Sequence, residues 1–89
     1  MEISWSPNGN WGYANIRMPR NLRREETRDQ IEVTLKEHLG EIGLWPVVIG
    51  CPHGARELGS NTLIWFVEFR VGESGRETRW RDMPAHYHR

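Results

Sequence analysis

The sequence predicts an α+β fold, in which one helix packs across one face of an antiparallel sheet of four to five strands in the order ββ-α-βββ. Two periodicities indicate this fold: residues 61–71 alternate with a period of two, and residues 23–39 repeat apolar side chains at helical spacing. Segments rich in Gly, Pro and Asn separate the periodic stretches. At 89 residues the chain is expected to form a single domain, 1–89, with residues 82–89 as a loose tail.

Residues 61–71 are predicted to be the strand around which the sheet is built. One face of this stretch is wholly apolar, and the other changes from apolar to charged along its length. The apolar face consists of Leu63, Trp65, Val67, Phe69 and Val71. We therefore expect a central strand that presses its odd-numbered side chains into the core.

The N-terminal region predicts a hairpin. Residues 2–6 and 11–18 read as strands, and Asn8-Gly9 between them readily forms a tight turn with positive φ. We expect the Ile16 face of the second strand to be buried, because its small residues allow a helix to approach closely. Trp11 and Tyr13 would then be partly exposed.

The helix is predicted over residues 23–39, with a continuous apolar stripe facing the sheet. Candidates for its start are Asn21 as the N-cap and a capping box formed by Thr27 and Gln30. Gly40 is expected to end it as the left-handed residue that follows a helix. The stripe consists of Ile31, Leu35, Leu39 and Ile42, with Thr27 and Arg28 extending it upstream.

The C-terminal half predicts two further strands and one long irregular segment. Residues 44–50 read as a strand in which Pro46 marks an edge or a late start. Residues 51–60 read as a loop, and loops of this length are often functional. A turn at residues 72–75 leads into a final strand at 76–81, which is expected to form a hairpin with residues 61–71.

Composition limits the classes of function. The formal net charge is zero, which argues against nucleic-acid binding driven by bulk charge, although Arg far outnumbers Lys. No apolar run of about 18 residues is present, so the sequence predicts no membrane span, and the N-terminus does not resemble a secretory signal. A single cysteine, Cys51, fits a reducing, cytoplasmic setting.

Four residues are weak candidates for a zinc site. Cys51 with His53, and His86 with His88, could supply two pairs of ligands. Their spacing differs from the usual zinc motifs, and a buried structural cysteine with solvated histidines explains the same residues more simply. We therefore expect no cofactor, with zinc as the alternative.

The surplus of aromatic and arginine side chains predicts a binding surface. Five Trp are more than a domain of this size easily buries, and Trp, Tyr and Arg are enriched at interface hot spots. A single thick aromatic core and a solvated, salt-bridged surface are the alternative explanations. The candidate partner-binding residues are Trp11, Tyr13, Arg17, Arg24, Arg28, Phe66, Arg79 and Trp80.

These residues favour a non-enzymatic module that binds a larger protein or forms a homodimer. A small inhibitor or adaptor of the kind encoded by phages and mobile elements fits the size of the chain. The sequence contains no phosphate loop, dinucleotide fingerprint or nucleophile elbow, and no pair of groups is placed for acid–base catalysis. The alternative functions are a nucleic-acid-binding module, in which Arg contacts phosphates and aromatic rings stack on bases, and a zinc-stabilised module.

Overall fold

A computed structural model describes residues 2–56 and 61–81, with the main chain alone at 51–53 and 55–56. It contains one helix packed against a five-stranded sheet, which confirms the α+β class. The elements are β1 (Glu2–Trp5), β2 (Trp11–Pro19), α1 (Arg24–Gly40), β3 (Trp45–Arg56), β4 (Thr62–Gly72) and β5 (Arg79–Trp80).

The strand predicted at residues 61–71 corresponds to β4, and it is the central strand of the sheet. The strands lie in the order β1-β2-β4-β3-β5, so β4 has β2 on one side and β3 on the other. Both pairings are antiparallel. Consequently β2 and β3 run in the same direction with β4 between them, and α1 connects them across one face of the sheet.

The final strand differs from the prediction. β5 is only Arg79–Trp80, and it pairs in parallel with β3 rather than antiparallel with β4, so the sheet is mixed. The physical reason is that β2 and β3 already occupy both edges of β4, which leaves the outer edge of β3 for β5. The preceding connection is held against β3 by a hydrogen bond from Trp45 Nε1 to the carbonyl of Arg76 (2.7 Å) and one from Thr78 Oγ1 to the carbonyl of Pro46 (2.8 Å).

The strand β3 is longer than predicted. It extends to Arg56, into the segment expected to be irregular, because β4 offers a pairing edge as far as Leu63. Register shifts between Pro46 and Val48 and between Gly50 and His53 accommodate the proline and the Gly-Cys-Pro sequence. The rest of the expected loop, 57–60, and the expected tail, 82–89, lie outside the described residues.

The core lies between α1 and one face of the sheet, as predicted. Trp65, Val67 and Phe69 of β4 are buried, Leu63 and Val71 on the same face are partly buried, and the Ile16 face of β2 is buried. The close approach expected at the small residues of β2 is real: a Cβ at Gly12 would lie 2.9 Å from the carbonyl oxygen of Ser4 and 3.1 Å from the ring of Phe69. The buried apolar residues are Ala14, Ile16, Met18, Ile31, Leu35, Leu39, Ile49, Trp65, Val67 and Phe69.

The helix begins at a different cap from those predicted. Arg23 is the N-cap residue, and its backbone N–H donates a hydrogen bond to the Glu26 carboxylate (2.9 Å), which lowers the pKa of Glu26 below its ordinary value. Asn21 lies outside the helix. Thr27 is buried within the first turns and donates its hydroxyl to the carbonyl of Arg23 (2.9 Å), so it caps no later start.

The end of the helix also differs in detail. Gly40 is the last helical residue, and the glycine with left-handed geometry is Gly43, at φ +77°. The turn closes with a hydrogen bond from Leu44 N to the carbonyl of Leu39 (2.8 Å). Ile42 lies in this turn and is 60% exposed, so the buried stripe ends at Leu39. In the described part of the chain, no helix is both long enough and apolar enough to cross a membrane.

Candidate functional site

Within the described residues, 2–56 and 61–81, no element covers the face of the sheet opposite α1. Alternation along the strands, together with the register, assigns the side chains to this face. We call it the open face. The residues on it include Glu2, Ser4, Trp11, Tyr13, Asn15, Arg17, Val48, Gly50, Ile64, Phe66, Glu68, Arg70, Arg79 and Arg81.

Aromatic rings occupy the middle of the open face. Trp11 and Tyr13 are in edge-to-face contact, with ring centroids 5.1 Å apart and planes at 71°. Tyr13 is 48% exposed and Phe66 is 43% exposed. Tyr13 pairs with Glu68 and Asn15 pairs with Phe66, so the two exposed rings are diagonal neighbours on adjacent strands. An apolar patch of this kind is a common feature of interaction sites.

A groove of about 410 Å³ lies on the same face. The register places Trp11, Arg70 and Val48 of this lining in a row across β2, β4 and β3, and Arg79 of β5, which pairs with Val48, continues the row beyond the lining. Apolar and cationic side chains therefore alternate along this row. The groove is lined by Trp11, Val48, Gly50, Glu68, Phe69, Arg70 and Arg81.

One side of the groove is formed by an ion pair that crosses β3. Arg81 Nη1 donates to Glu68 Oε2 at 2.7 Å, with the two side chains 55% and 31% exposed. The arginine stem passes over Gly50, where a Cβ would lie only 2.6 Å from Arg81 Cδ. Glycine at position 50 therefore gives Arg81 the room to reach Glu68.

The described side chains of the open face carry an excess of positive charge. Four arginines are present with two glutamates, Glu2 and Glu68, and one of these arginines is neutralised by the Arg81–Glu68 pair. The four are Arg17, Arg70, Arg79 and Arg81. Arg17 of β2 is far in the sequence from the other three, so the fold brings arginines from both ends of the chain to one surface.

The structure divides the sequence-predicted partner-binding residues between two faces. Five lie on the open face, namely Trp11, Tyr13, Arg17, Phe66 and Arg79. The other three lie elsewhere: Arg24 is at the start of α1, and Arg28 stacks over the ring of Trp80 on the helix side of the sheet, 4.8 Å from its centroid.

Trp80 is held in a chain of contacts along α1. Its Nε1 donates to Glu32 Oε1 at 2.8 Å, and Lys36 Nζ donates to Glu32 Oε2 at 2.7 Å. Lys36 also lies over the ring of Trp45, 4.9 Å from its centroid. Partial burial raises the pKa of Glu32, but the hydrogen bonds from Lys36 and Trp80 and the charges of Lys36 and Arg28 outweigh it, so this pKa lies below its ordinary value. These contacts give Trp45 and Trp80 structural roles.

Sequence reasoning missed several residues of the groove. Glu68 and Arg70 were recognisable from their positions, because they share the even-numbered face of β4 with Phe66. Val48 and Gly50 gave no such signal, since their place depends on the register shift in β3. Arg81 was recognisable only as the last residue of the strand predicted at 76–81.

The zinc candidates fall outside what the structure describes. His86 and His88 lie beyond the described residues, and the side chains of Cys51 and His53 are not described either. Among the described residues, no group of three His, Cys, Asp or Glu side chains could hold a metal ion.

Comparison with protein-family models, with curated proteins and with solved structures finds no match for this chain.

Proposed function

We propose that this chain is a non-enzymatic protein-binding module that attaches to a larger protein through the open face of its sheet. The observation that carries this proposal is the coincidence of exposed Tyr13 and Phe66 with four arginines on one sheet face that the described chain leaves uncovered. Tyr, Trp and Arg are the side chains most enriched at the hot spots of protein interfaces.

The rigidity of this surface supports the same function. Open-face side chains project from the three longest strands, β2, β3 and β4, which are hydrogen-bonded to one another. A partner would therefore meet residues already fixed in position, and association would cost less conformational entropy than ordering a loop. The small size fits an inhibitor or adaptor of the kind encoded by phages or mobile elements. The single cysteine fits a protein that acts in a reducing cytoplasm.

The test is affinity capture with matched surface variants from a lysate of the organism that encodes the chain. The open-face variant is Tyr13→Ser with Phe66→Ser, and the control is Val33→Ser with Ile42→Ser, whose side chains are 49% and 60% exposed outside the open face. We expect a specific protein to be captured by the wild type and the control and lost from the open-face variant. Capture that survives in the open-face variant, or no specific capture by the wild type, contradicts the proposal.

Nucleic-acid binding is the second candidate, and the row of Trp11, Arg70, Val48 and Arg79 is what favours it. Its distinguishing property is salt dependence. Affinity for a single-stranded oligonucleotide would fall steeply between about 50 and 200 mM salt, whereas an interface anchored by aromatic rings would weaken much less. Fluorescence anisotropy with a labelled 20-mer measures this difference directly.

A further inference from the structure

We propose that the groove on the open face receives an acidic side chain of the protein partner together with a neighbouring apolar side chain. Arg70 and Arg79 would bind the carboxylate above Val48, and Trp11 would contact the apolar group. This inference rests on the proposed function and names the chemistry that the partner must present.

The spacing of the row fits a single carboxylate. Arg70 and Arg79 flank Val48 on the neighbouring strands, and two strand spacings place their main chains about 10 Å apart. Both side chains are exposed and long enough to converge over the valine between them. A carboxylate accepts hydrogen bonds from two guanidinium groups at once, which a neutral amide does with less strength.

Arg70 and Arg79 differ from Arg81, the other arginine that lines the groove beside Arg70. Arg81 is already paired with Glu68 at 2.7 Å. Among the residues that the structure describes, neither Arg70 nor Arg79 has an ion-pair partner. The row that contains Arg70 and Arg79 therefore carries net positive charge, and the neighbouring row contains the neutralised Arg81–Glu68 pair.

This charge pattern favours an acidic protein segment over the other occupants. A second copy facing the first about a twofold axis would bring two surfaces with excess arginine together, and like charges at close range oppose such a dimer. A nucleic-acid strand crossing the sheet would meet uncompensated positive charge on one row only, because Glu68 neutralises Arg81 on the adjacent row. A single carboxylate beside an apolar side chain meets neither obstacle.

The experiment is selection of random heptapeptides displayed on phage against the immobilised full chain, followed by affinity measurements on the strongest peptide. We expect the selected peptides to carry Asp or Glu next to an apolar residue. Replacing that acid by its amide should weaken binding to the wild type about tenfold.

The variants test whether Arg70 binds the carboxylate of the selected peptide. Arg70→Glu should weaken the selected peptide at least tenfold and should prefer a peptide in which Lys replaces the acid. The control, Arg76→Glu, makes the same charge change at an exposed turn position outside the groove and should change affinity less than threefold. Circular dichroism of each variant verifies folding, and Arg70→Gln provides a milder substitution if Arg70→Glu unfolds the domain.

The outcomes separate this inference from the function on which it rests. A selection without an acidic consensus, including one that yields no peptide, overturns the groove inference, as do equal effects of Arg70→Glu and Arg76→Glu. If a protein is still captured and its capture depends on Tyr13 and Phe66, the proposed protein-binding function remains supported, but the partner does not insert an acidic side chain into the groove. A dimer dispersed by Arg70→Glu in sedimentation, or a strongly salt-dependent complex with single-stranded DNA, identifies a different occupant and overturns the inference.

Discussion

We predict that the hydrogen bond between Glu32 and Trp80 holds β5 against the helix, and its contribution to the unfolding free energy can be measured. The carboxylate accepts hydrogen bonds from Trp80 Nε1 at 2.8 Å and from Lys36 Nζ at 2.7 Å. The two residues are 48 positions apart in the chain, so their contact exists only in the folded state. Trp80→Phe removes the donor and retains a ring, and Glu32→Ala removes the acceptor.

The magnitude follows from the partial burial of the site. A hydrogen bond to a charged group contributes about 1.5–3 kcal/mol, but the Glu32 side chain is 29% exposed, which places the bond at the lower end. The pair with Lys36 is a partly exposed i,i+4 contact worth about 0.3–0.5 kcal/mol. We therefore expect a coupling free energy of about 1–1.5 kcal/mol between Trp80→Phe and Glu32→Ala in a double-mutant cycle.

Urea denaturation followed by far-ultraviolet circular dichroism measures each unfolding free energy without depending on tryptophan fluorescence. Glu37→Gln is the control, because Glu37 is an exposed glutamate on the same helix, and it should change stability by less than about 0.5 kcal/mol. If the effects of Trp80→Phe and Glu32→Ala add within about 0.5 kcal/mol, the contact contributes nothing measurable and the locking role is refuted.

The sign of the pH dependence gives a second check on Glu32. Its pKa is lower in the folded state than its ordinary value, so the folded state holds the proton less tightly than the unfolded state. The stabilisation is therefore fully present above the unfolded pKa and is lost as the pH falls through the lowered folded pKa. The stability gap between the wild type and Glu32→Gln should be largest near neutral pH and should narrow in acid.

Two further predictions concern the core and the close approaches of glycine. Phe69 is 1% exposed, and Phe69→Ala should cost about 3–5 kcal/mol and leave much of the chain unfolded by circular dichroism. Gly12→Ala should cost about 1–3 kcal/mol in a urea titration, because its Cβ meets the main chain of Ser4 at 2.9 Å. Gly50→Ala should cost less than about 1 kcal/mol, since the side chain that it meets at 2.6 Å, Arg81, is exposed and flexible; equal costs for the two glycine variants would contradict this distinction.

The parts of the fold that local pattern determines were predictable from the sequence. Alternation in residues 61–71 identified β4 and its buried face, and helical spacing identified α1 to within one residue at each end. The partner of β5 was not predictable in this way, because it depends on which strand edges remain free after distant segments have paired. The N-cap was also missed, since Arg23 is an uncommon residue type there and the acceptor is Glu26.

The candidate site was predictable as a set of residue types but not as a surface. Exposed Trp, Tyr, Phe and Arg were expected, and the open face carries all four types. For β5, the residues of the open face could not be told from those of the helix side by sequence, because the register of β5 with β3 follows from a nonlocal pairing. Spacing carried one signal of the contacts of Trp80: Arg28, Glu32 and Lys36 recur every fourth residue along α1, as expected for a stripe that contacts a neighbouring element.

The strand register places Trp11 and Trp80 on opposite faces of the sheet. Trp80 pairs with Ile49, which pairs with Phe69 in the core, so Trp80 faces the helix, whereas Trp11 pairs with Arg70 on the open face. Trp80→Ala should therefore lower the unfolding free energy and leave the affinity of the remaining folded protein for its partner unchanged, and Trp11→Ala should mainly weaken partner binding. Because both changes remove one indole, size and hydrophobicity are matched and only the face differs. Equal losses of binding from the two variants, measured on folded protein, would mean that the partner does not distinguish the faces and that the open face is not its docking surface.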